Sequence, residues 1–178
     1  MTAYAPTLAL GPLLAATPAL AQPLAPFGAD YAVRYGAMSV GSSHFELRAD
    51  GAPGRWVFES RSTPSGFGRL VTGGTLVQTS WLVVAGADVR PLRFRFDDGA
   101  RRRSEDVSLA FDWERGRVAG EAKGEAVALP LEPGMQDPVS SQLALMVELL
   151  AGGEPRNHVM IDGGRLRPTE LRFERRER

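Results

Sequence analysis

Apolar and polar residues alternate with a period of two in stretch after stretch of this chain, from Asp30 onward. Successive side chains of a β-strand point to opposite faces of a sheet, so the alternation predicts strands that bury one face and expose the other. Glycine-containing pairs typical of tight turns separate the stretches, namely Asp50-Gly51, Gly73-Gly74, Asp98-Gly99 and Gly163-Gly164. The pattern predicts a mainly β fold, a curved antiparallel sheet or open barrel formed as a meander of hairpins.

The alternation also predicts which side chains face the core. The clearest stripe consists of Val107, Leu109, Phe111 and Trp113. Further stripes consist of Tyr31, Val33 and Tyr35, of Trp56 and Phe58, and of Leu92, Phe94 and Phe96. Because neighbours along a strand point to opposite faces, Val57 is assigned to the face opposite Trp56 and Phe58.

One segment, Gln136 to Leu150, departs from the alternation and predicts a single amphipathic α-helix. Asp137 is placed to cap the first free N–H groups, Pro138 suits the first helical position, and Ser140 is a further capping residue. After the segment, Gly152 or Gly153 can adopt the left-handed conformation that ends a helix. The apolar face consists of Val139, Leu143, Met146, Val147 and Leu150. We expect this face to pack on the concave face of the sheet.

The first 21 residues have the composition of a secretory signal peptide. An uncharged apolar run, Leu8 to Leu14, precedes small residues that end in Ala19-Leu20-Ala21. The run is far shorter than the ~20 apolar residues of a membrane-spanning helix, and the small residues suit signal peptidase. We therefore expect residues 1–21 to be a signal peptide and residues 22–178 to form a single exported β-rich domain. This domain would be periplasmic or peripherally attached to the outer membrane, with no membrane-spanning segment.

The composition restricts the class of partner. The chain carries 21 Lys and Arg against 21 Asp and Glu, so it has no net field to attract nucleic acid. It contains no cysteine, so neither a disulfide nor a cysteine-linked lipid anchor is available. We therefore expect no nucleic-acid partner, and we expect the stability of the domain to come from one hydrophobic core.

No residue pattern predicts catalysis or a metal site. The only histidines are His44 and His158, and His158 and Asp162 would lie about 13 Å apart along one strand, too far to share a metal ion. A Ser-His-Asp hydrolase could combine this pair with Ser140 or Ser141, but the Gly-x-Ser-x-Gly turn that exposes such a serine is absent. We predict a protein without catalytic residues, bound metal or cofactor, and we keep a hydrolase as an unfavoured alternative.

Several short motifs occur in an order that is typical of one bacterial family. They are Tyr31-x-Val33-x-Tyr35-Gly36, Gly41, Pro91-Leu92-Arg93-Phe94, Phe111-Asp112 and Gln136-Asp137-Pro138-Val139-Ser140. In this order, after a signal peptide, they resemble the exported family of unknown function DUF3108. The resemblance implies a β-rich envelope domain with one helix and no assigned activity. Members of that family usually continue with hairpin strands beyond the position of Leu166 to Phe173, so we expect this chain to be truncated before its final sheet edge.

Two functions fit these expectations. A large one-sided sheet with a helix can enclose an apolar cavity, so we favour a non-enzymatic envelope protein that binds a hydrophobic small molecule or lipid. The alternative is a structural or interaction protein that pairs with an envelope protein through an exposed sheet edge. No sequence motif assigns the ligand-binding residues.

Overall fold

The computed structural model of the chain describes residues 24–70, 74–100 and 105–169. The predicted signal peptide, residues 1–21, lies outside the described residues. So do Gly73 of one predicted turn and the end of the predicted final strand, from residue 170 to Phe173.

Eight antiparallel strands form one sheet in which every strand pairs with its neighbours in the chain. They are β1 (Phe27–Tyr35), β2 (Met38–Ala49), β3 (Arg55–Pro64), β4 (Leu76–Ala85), β5 (Asp88–Asp97), β6 (Val107–Asp112), β7 (Arg117–Ala122) and β8 (Glu125–Pro130). A 3-10 helix, Gly66–Leu70, connects β3 to β4. Because β1 and β8 do not pair with each other, the sheet is open. The predicted mainly β meander is confirmed, in its curved-sheet form.

The remaining elements follow the sheet in the chain. Helix α1 spans Ser140–Leu150, and β9 (His158–Asp162) pairs with β10 (Arg165–Thr169) in a separate two-stranded sheet. Gln136 joins this small sheet through its backbone, since it donates to Val159 O at 2.9 Å and accepts from Ile161 N–H at 2.8 Å. No helix among the described residues is long and apolar enough to cross a membrane.

Helix α1 packs against one face of the large sheet, which we call the inner face. Cross-strand pairing places Phe58 opposite Ser80, Ser80 opposite Phe94, and Phe94 opposite Leu109, so these four side chains share that face. Phe58, Phe94 and Leu109 are buried in one cluster with Leu143 of α1. The core therefore lies between the inner face and the helix, as the amphipathic pattern predicts.

The packing of two residues departs from simple alternation. The register of β4 against β5 shifts between Trp81 and Leu82, which pair with Arg93 and Pro91. Leu92 is therefore the extra residue of a β-bulge and is only half-buried. Val57 is fully buried although it lies on the face opposite Phe58, because Trp81 stands across from it on β4.

The buried side of α1 differs from the predicted apolar face near the C-terminal end of the helix. Val139, Leu143 and Val147 are buried, but Met146 is 36% and Leu150 is 54% exposed. The buried side of the helix instead includes Glu148. An apolar pattern does not predict that a charged residue is buried. The helix ends as Gly152 takes a positive φ of 74° and Gly153 N–H donates to Glu148 O at 3.0 Å.

Candidate functional site

The inner face divides into two halves that differ in what lies over them. The covered half lies under α1 and includes Leu82, Phe94 and Leu109, all of which are buried. The open half comprises the inner-face residues of β1 to β3 that α1 leaves uncovered, and it includes Tyr31 and Val33, which are 57% and 39% exposed. The two halves offer different surroundings to a bound molecule.

A buried carboxylate anchors the start of α1 to the covered half. Asp137 is fully buried, and its Oδ1 accepts hydrogen bonds from the backbone N–H groups of Val139 at 2.9 Å and Ser140 at 2.8 Å. Its Oδ2 accepts a hydrogen bond from Ser80 Oγ of β4 at 2.7 Å. One side chain therefore satisfies free N–H groups at the helix start and links the helix to the sheet.

The residues around Asp137 complete this turn. Ser140 Oγ accepts a hydrogen bond from Asp137 N–H at 2.9 Å, and Pro138 lies between them, where its missing N–H costs nothing. Val139, which directly precedes α1, makes no side-chain capping bond. Asp137, Pro138 and Ser140, singled out by the sequence, thus lie together in the turn at the start of the helix.

The environment of Asp137 also changes its acidity. Burial raises the pKa of the Asp137 carboxyl to about 6, and the hydrogen bonds from Ser140, Ser80 and Val139 offset this effect only in part. A carboxyl group that titrates close to neutral pH in a core makes the packing of α1 sensitive to pH. Because all its hydrogen-bond partners lie within the turn and β4, this perturbed group has a structural explanation.

A polar cavity of about 560 Å³ lies at the end of the covered half, between the β4–β5 turn, the loop before α1 and the start of β9. Its lining includes Arg90, Trp113, Gln136, Arg156 and His158. Each arginine already has an acidic partner: Arg90 Nε lies 2.7 Å from Asp88 Oδ2, and Arg156 Nε lies 2.8 Å from Glu148 Oε1. The cavity therefore carries no excess charge from these residues.

Buried polar groups build the wall of this cavity. Gln136 Nε2 donates to Val89 O at 2.8 Å, and the Glu148 carboxylate accepts the backbone N–H of Arg156 at 3.0 Å as well as its Nε. His158 Nε2 lies 3.1 Å from Glu148 Oε1, but the contact lacks the geometry of a hydrogen bond. These contacts hold the loop after α1 against the helix, and they account for the buried charge of Glu148.

An apolar cavity of about 590 Å³ lies on the open half, between β1, β2, β3 and the 3-10 helix. Val33, Val40, Pro64, Phe67 and Leu76 provide its apolar lining. Phe67 is 63% exposed, so most of its ring is uncovered. A volume of this size is typical of small-molecule sites, which lie between about 300 and 1,000 Å³.

Hydroxyl groups provide the polar part of this cavity. Ser43 and Ser62 face each other across β2 and β3, with their Oγ atoms 2.8 Å apart, and Ser42 and Thr63 also line the cavity. These groups carry no charge, and each hydroxyl can donate as well as accept a hydrogen bond. The apolar cavity thus combines an apolar surface with a few uncharged polar groups.

The 3-10 helix lies directly on the end of β2. Ser65 N–H donates to Val40 O at 2.9 Å, and a Cβ atom at Gly68 would overlap Val40 O. Only glycine therefore allows this close approach, which holds Phe67 at the edge of the apolar cavity. No sequence pattern assigned this role to Phe67.

A second, smaller apolar cavity adjoins the first along β1 and β2. Its volume is about 250 Å³, and its lining includes Tyr31, Phe45, Phe58 and Met146. Tyr31 pairs with Ser43, which lines the larger cavity. The ring of Tyr31 meets Phe45 edge to face, with ring centroids 5.6 Å apart. The open half therefore offers apolar surface from the 3-10 helix to the exposed edge of α1.

The residues considered for a hydrolase have other partners in the structure. Ser140 Oγ is bonded to Asp137, and Ser141 Oγ donates to Pro138 O at 3.1 Å. His158 lies against Glu148, while Asp162 Oδ2 lies 3.2 Å from Arg167 Nε. Among the described residues, no hydrogen bond joins either serine to His158, so these four side chains form no Ser-His-Asp arrangement.

Three carboxylates approach one another next to the β5–β6 connection. Asp97, Asp98 and Asp106 each offer one oxygen within 4.8 Å of the others, and all three are half-buried. The same side chains accept backbone N–H groups of this connection: Asp97 from Gly99 at 2.9 Å and Asp98 from Ala100 at 2.8 Å. These bonds explain the cluster as part of the turn, and the neighbouring Arg101-Arg102-Arg103 lies outside the described residues.

Comparisons with known proteins give one match. A family model described as Protein of unknown function (DUF3108) matches residues 30–178. The matched range includes α1 and all of β2 to β10. Neither a curated protein nor a solved structure matches the chain.

Proposed function

We propose a function for this chain, which belongs to the DUF3108 family of proteins of unknown function: it is an exported, non-enzymatic protein of the cell envelope that binds a hydrophobic, lipid-like ligand. The ligand would lie on the open half of the inner face. The observation that carries the proposal is the apolar cavity of about 590 Å³ between β1 to β3 and the 3-10 helix.

The exposure of large apolar side chains around this cavity supports the proposal. Phe67 and Tyr35, which line this cavity, are 63% and 76% exposed, and Tyr31, which lines the smaller cavity, is 57% exposed. Burying apolar surface gains about 25 cal/mol per Å², so leaving such residues uncovered is unfavourable unless another molecule covers them. The chemistry of an acyl chain suits this cavity, because its lining, among the residues that the structure describes, has no charged side chain and offers hydroxyl groups as polar partners.

The sequence of residues 1–21 supports export. The contacts made by the side chains once considered for a hydrolase support binding without catalysis; these are Ser140, Ser141, His158 and Asp162. Each of these side chains contacts a neighbour that gives it a structural role. Periplasmic location, or attachment to the periplasmic side of the outer membrane, would place the protein where lipids must cross an aqueous space. A carrier or a sensor of such lipids would need the exposed cavity described above.

Native mass spectrometry of the protein recovered gently from the periplasm of a Gram-negative host tests the proposal. We expect a mass that begins at Gln22, together with a species that is heavier by one lipid-sized molecule. Phe67→Glu places a charge beside the apolar cavity and should reduce the loaded fraction about tenfold or more. Leu149→Glu is the matched control, because Leu149 is an exposed apolar residue of α1 outside the cavity.

Three outcomes would contradict the proposal. An unprocessed chain confined to the cytoplasm would argue against export. A processed chain without any adduct, which also fails to bind added palmitic acid, would argue against lipid binding. Equal loading of Phe67→Glu and Leu149→Glu would place the ligand elsewhere on the molecule.

A further inference from the structure

Strand β1 is an unprotected edge of the large sheet. It spans nine residues and pairs only with β2, so the backbone groups on its outer side have no strand partner among the described residues. Natural proteins usually shorten such edges, or interrupt them with proline or a bulge, to prevent pairing with another chain. The register shift of this hairpin, between Val33 and Arg34, places the extra residue on β2 and leaves β1 regular.

The opposite edge of the sheet is less suited to pairing. Strand β8 has six residues and ends at Pro130, whose nitrogen cannot donate a hydrogen bond. Its side chains are mostly small, and its only charged residue is Glu125. Strand β1 instead presents Tyr31, Val33 and Tyr35, which are all exposed.

The charges of β1 are complementary to a second copy of the same strand. In an antiparallel pair related by a two-fold axis at Ala32, Asp30 lies opposite Arg34 of the partner subunit, and this contact occurs twice. Within the described residues of the isolated chain, Asp30 is 86% exposed and its carboxylate pairs with His44 alone, and Arg34 has no ion pair. Shifting the register by two residues in either direction places both charges opposite uncharged residues.

The same register also places apolar side chains together. Tyr31 lies opposite Val33 of the partner subunit, and Ala29 lies opposite Tyr35 of the partner subunit. Residues directly opposite each other in a sheet point to the same face, so the odd-numbered residues of both copies meet on the inner face. Pairing would join two eight-stranded sheets into one and bring the two open halves side by side.

We propose that the protein forms a symmetric dimer through antiparallel pairing of β1 with β1 of a second copy, centred on Ala32. The pairing satisfies the unpaired backbone groups of the edge, neutralises Asp30 and Arg34, and covers Tyr31 and Val33. A two-fold interface is closed, so it ends at two copies and does not extend into a fibre. The inference stands on the edge strand and its charges, and it does not require that the cavity binds a ligand.

Sedimentation velocity over a range of protein concentrations tests the dimer. Asp30→Arg places two arginine pairs in contact across the interface, and Arg34→Asp places two aspartate pairs there. Each substitution should raise the dimer dissociation constant about tenfold or more. The double variant Asp30→Arg/Arg34→Asp recreates both opposite-charge pairs with their signs exchanged, so it should return to the dissociation constant of the unaltered protein within about threefold.

Two controls keep the result specific to β1. Glu125→Arg reverses a charge on β8 and should leave the dissociation constant unchanged. Far-ultraviolet circular dichroism checks that each variant retains its strands, which is expected because the altered side chains are exposed. The proposal is overturned by a protein that stays monomeric at all concentrations, by larger polymers, by single variants that dimerise normally, or by a double variant that does not recover.

Discussion

The covered and open halves of the inner face follow the same alternating sequence pattern but differ in how far their side chains are buried. In the covered half, Leu82, Phe94 and Leu109 are almost completely buried, because α1 lies over them. In the open half, Tyr31 and Val33 alternate just as regularly but stay exposed. Alternation therefore determines the side of the sheet to which a residue points, whereas burial depends on a separate element that covers it.

The polar groups of the two halves differ in their hydrogen-bond partners. In the covered half, the Ser80 hydroxyl and the Gln136 amide nitrogen each have a specific buried partner, Asp137 and the backbone of Val89. In the open half, the hydroxyls of Ser43 and Ser62 form a hydrogen bond with each other and with no other side chain that the structure describes. Buried polar groups without partners are costly, so the covered half needs its fixed network, whereas the open half can exchange contacts with a ligand or with water.

The largest expected difference between the halves comes from deleting apolar side chains. Leu143→Ala should lower the free energy of unfolding by about 2–5 kcal/mol, because it leaves a hole in a fully packed cluster. In the ligand-free monomer, Val33→Ala should change it by less than about 1 kcal/mol, because Val33 is already exposed there. Urea unfolding of both variants measures the contrast, and equal losses would show that the open half is covered in solution.

The covered half should carry a pH dependence of its own, because the Asp137 carboxyl lies within it. The pKa of Asp137 is about 6 in the fold against an ordinary value of 3.8, so the folded state binds more protons between these values. The stability that this group contributes is therefore present below about pH 4 and is lost as the pH rises through 6. Its full size is on the order of 3 kcal/mol.

Asp137→Asn isolates this effect, since an amide can still accept from Val139 and Ser140 and can donate to Ser80. Urea unfolding of both proteins at pH 4 and pH 7 gives the comparison. The stability of the unaltered protein, relative to that of the variant, should fall over this interval. A relative stability that rises with pH would show that the hydrogen bonds, and not burial, dominate the environment of Asp137.

A smaller contrast is expected between two serines of the inner face. Ser80→Ala removes the hydrogen bond to a buried carboxylate oxygen and should cost about 1–3 kcal/mol of unfolding free energy. Ser62→Ala removes the bond to Ser43 beside the open cavity, where a freed hydroxyl can turn to other partners, and should cost less than about 1 kcal/mol. Thermal unfolding at pH 7 ranks the two variants, and the reverse order would contradict the division into halves.

The placement of α1 shows how far the sequence could predict the site. The segment from Asp137 to Gly152 predicts a helix and its ends, since caps and apolar spacing are local properties. Glu148 could not be placed in the core, because its partners Arg156 and His158 come from a loop and a strand further along the chain. The bulge at Leu92 was likewise missed, because strand register depends on the partner strand.

The sequence by itself determined the mainly β meander, the single helix and the side chains that point inward, because these follow from the periods of two and 3.6 residues and from turn chemistry. The family match agrees with the motifs along β1, β5, β6 and the start of α1. Only the tertiary structure decided that α1 covers one half of the inner face and leaves the other open. That outcome depends on contacts between distant residues, above all Ser80 with Asp137, and no local pattern contains them.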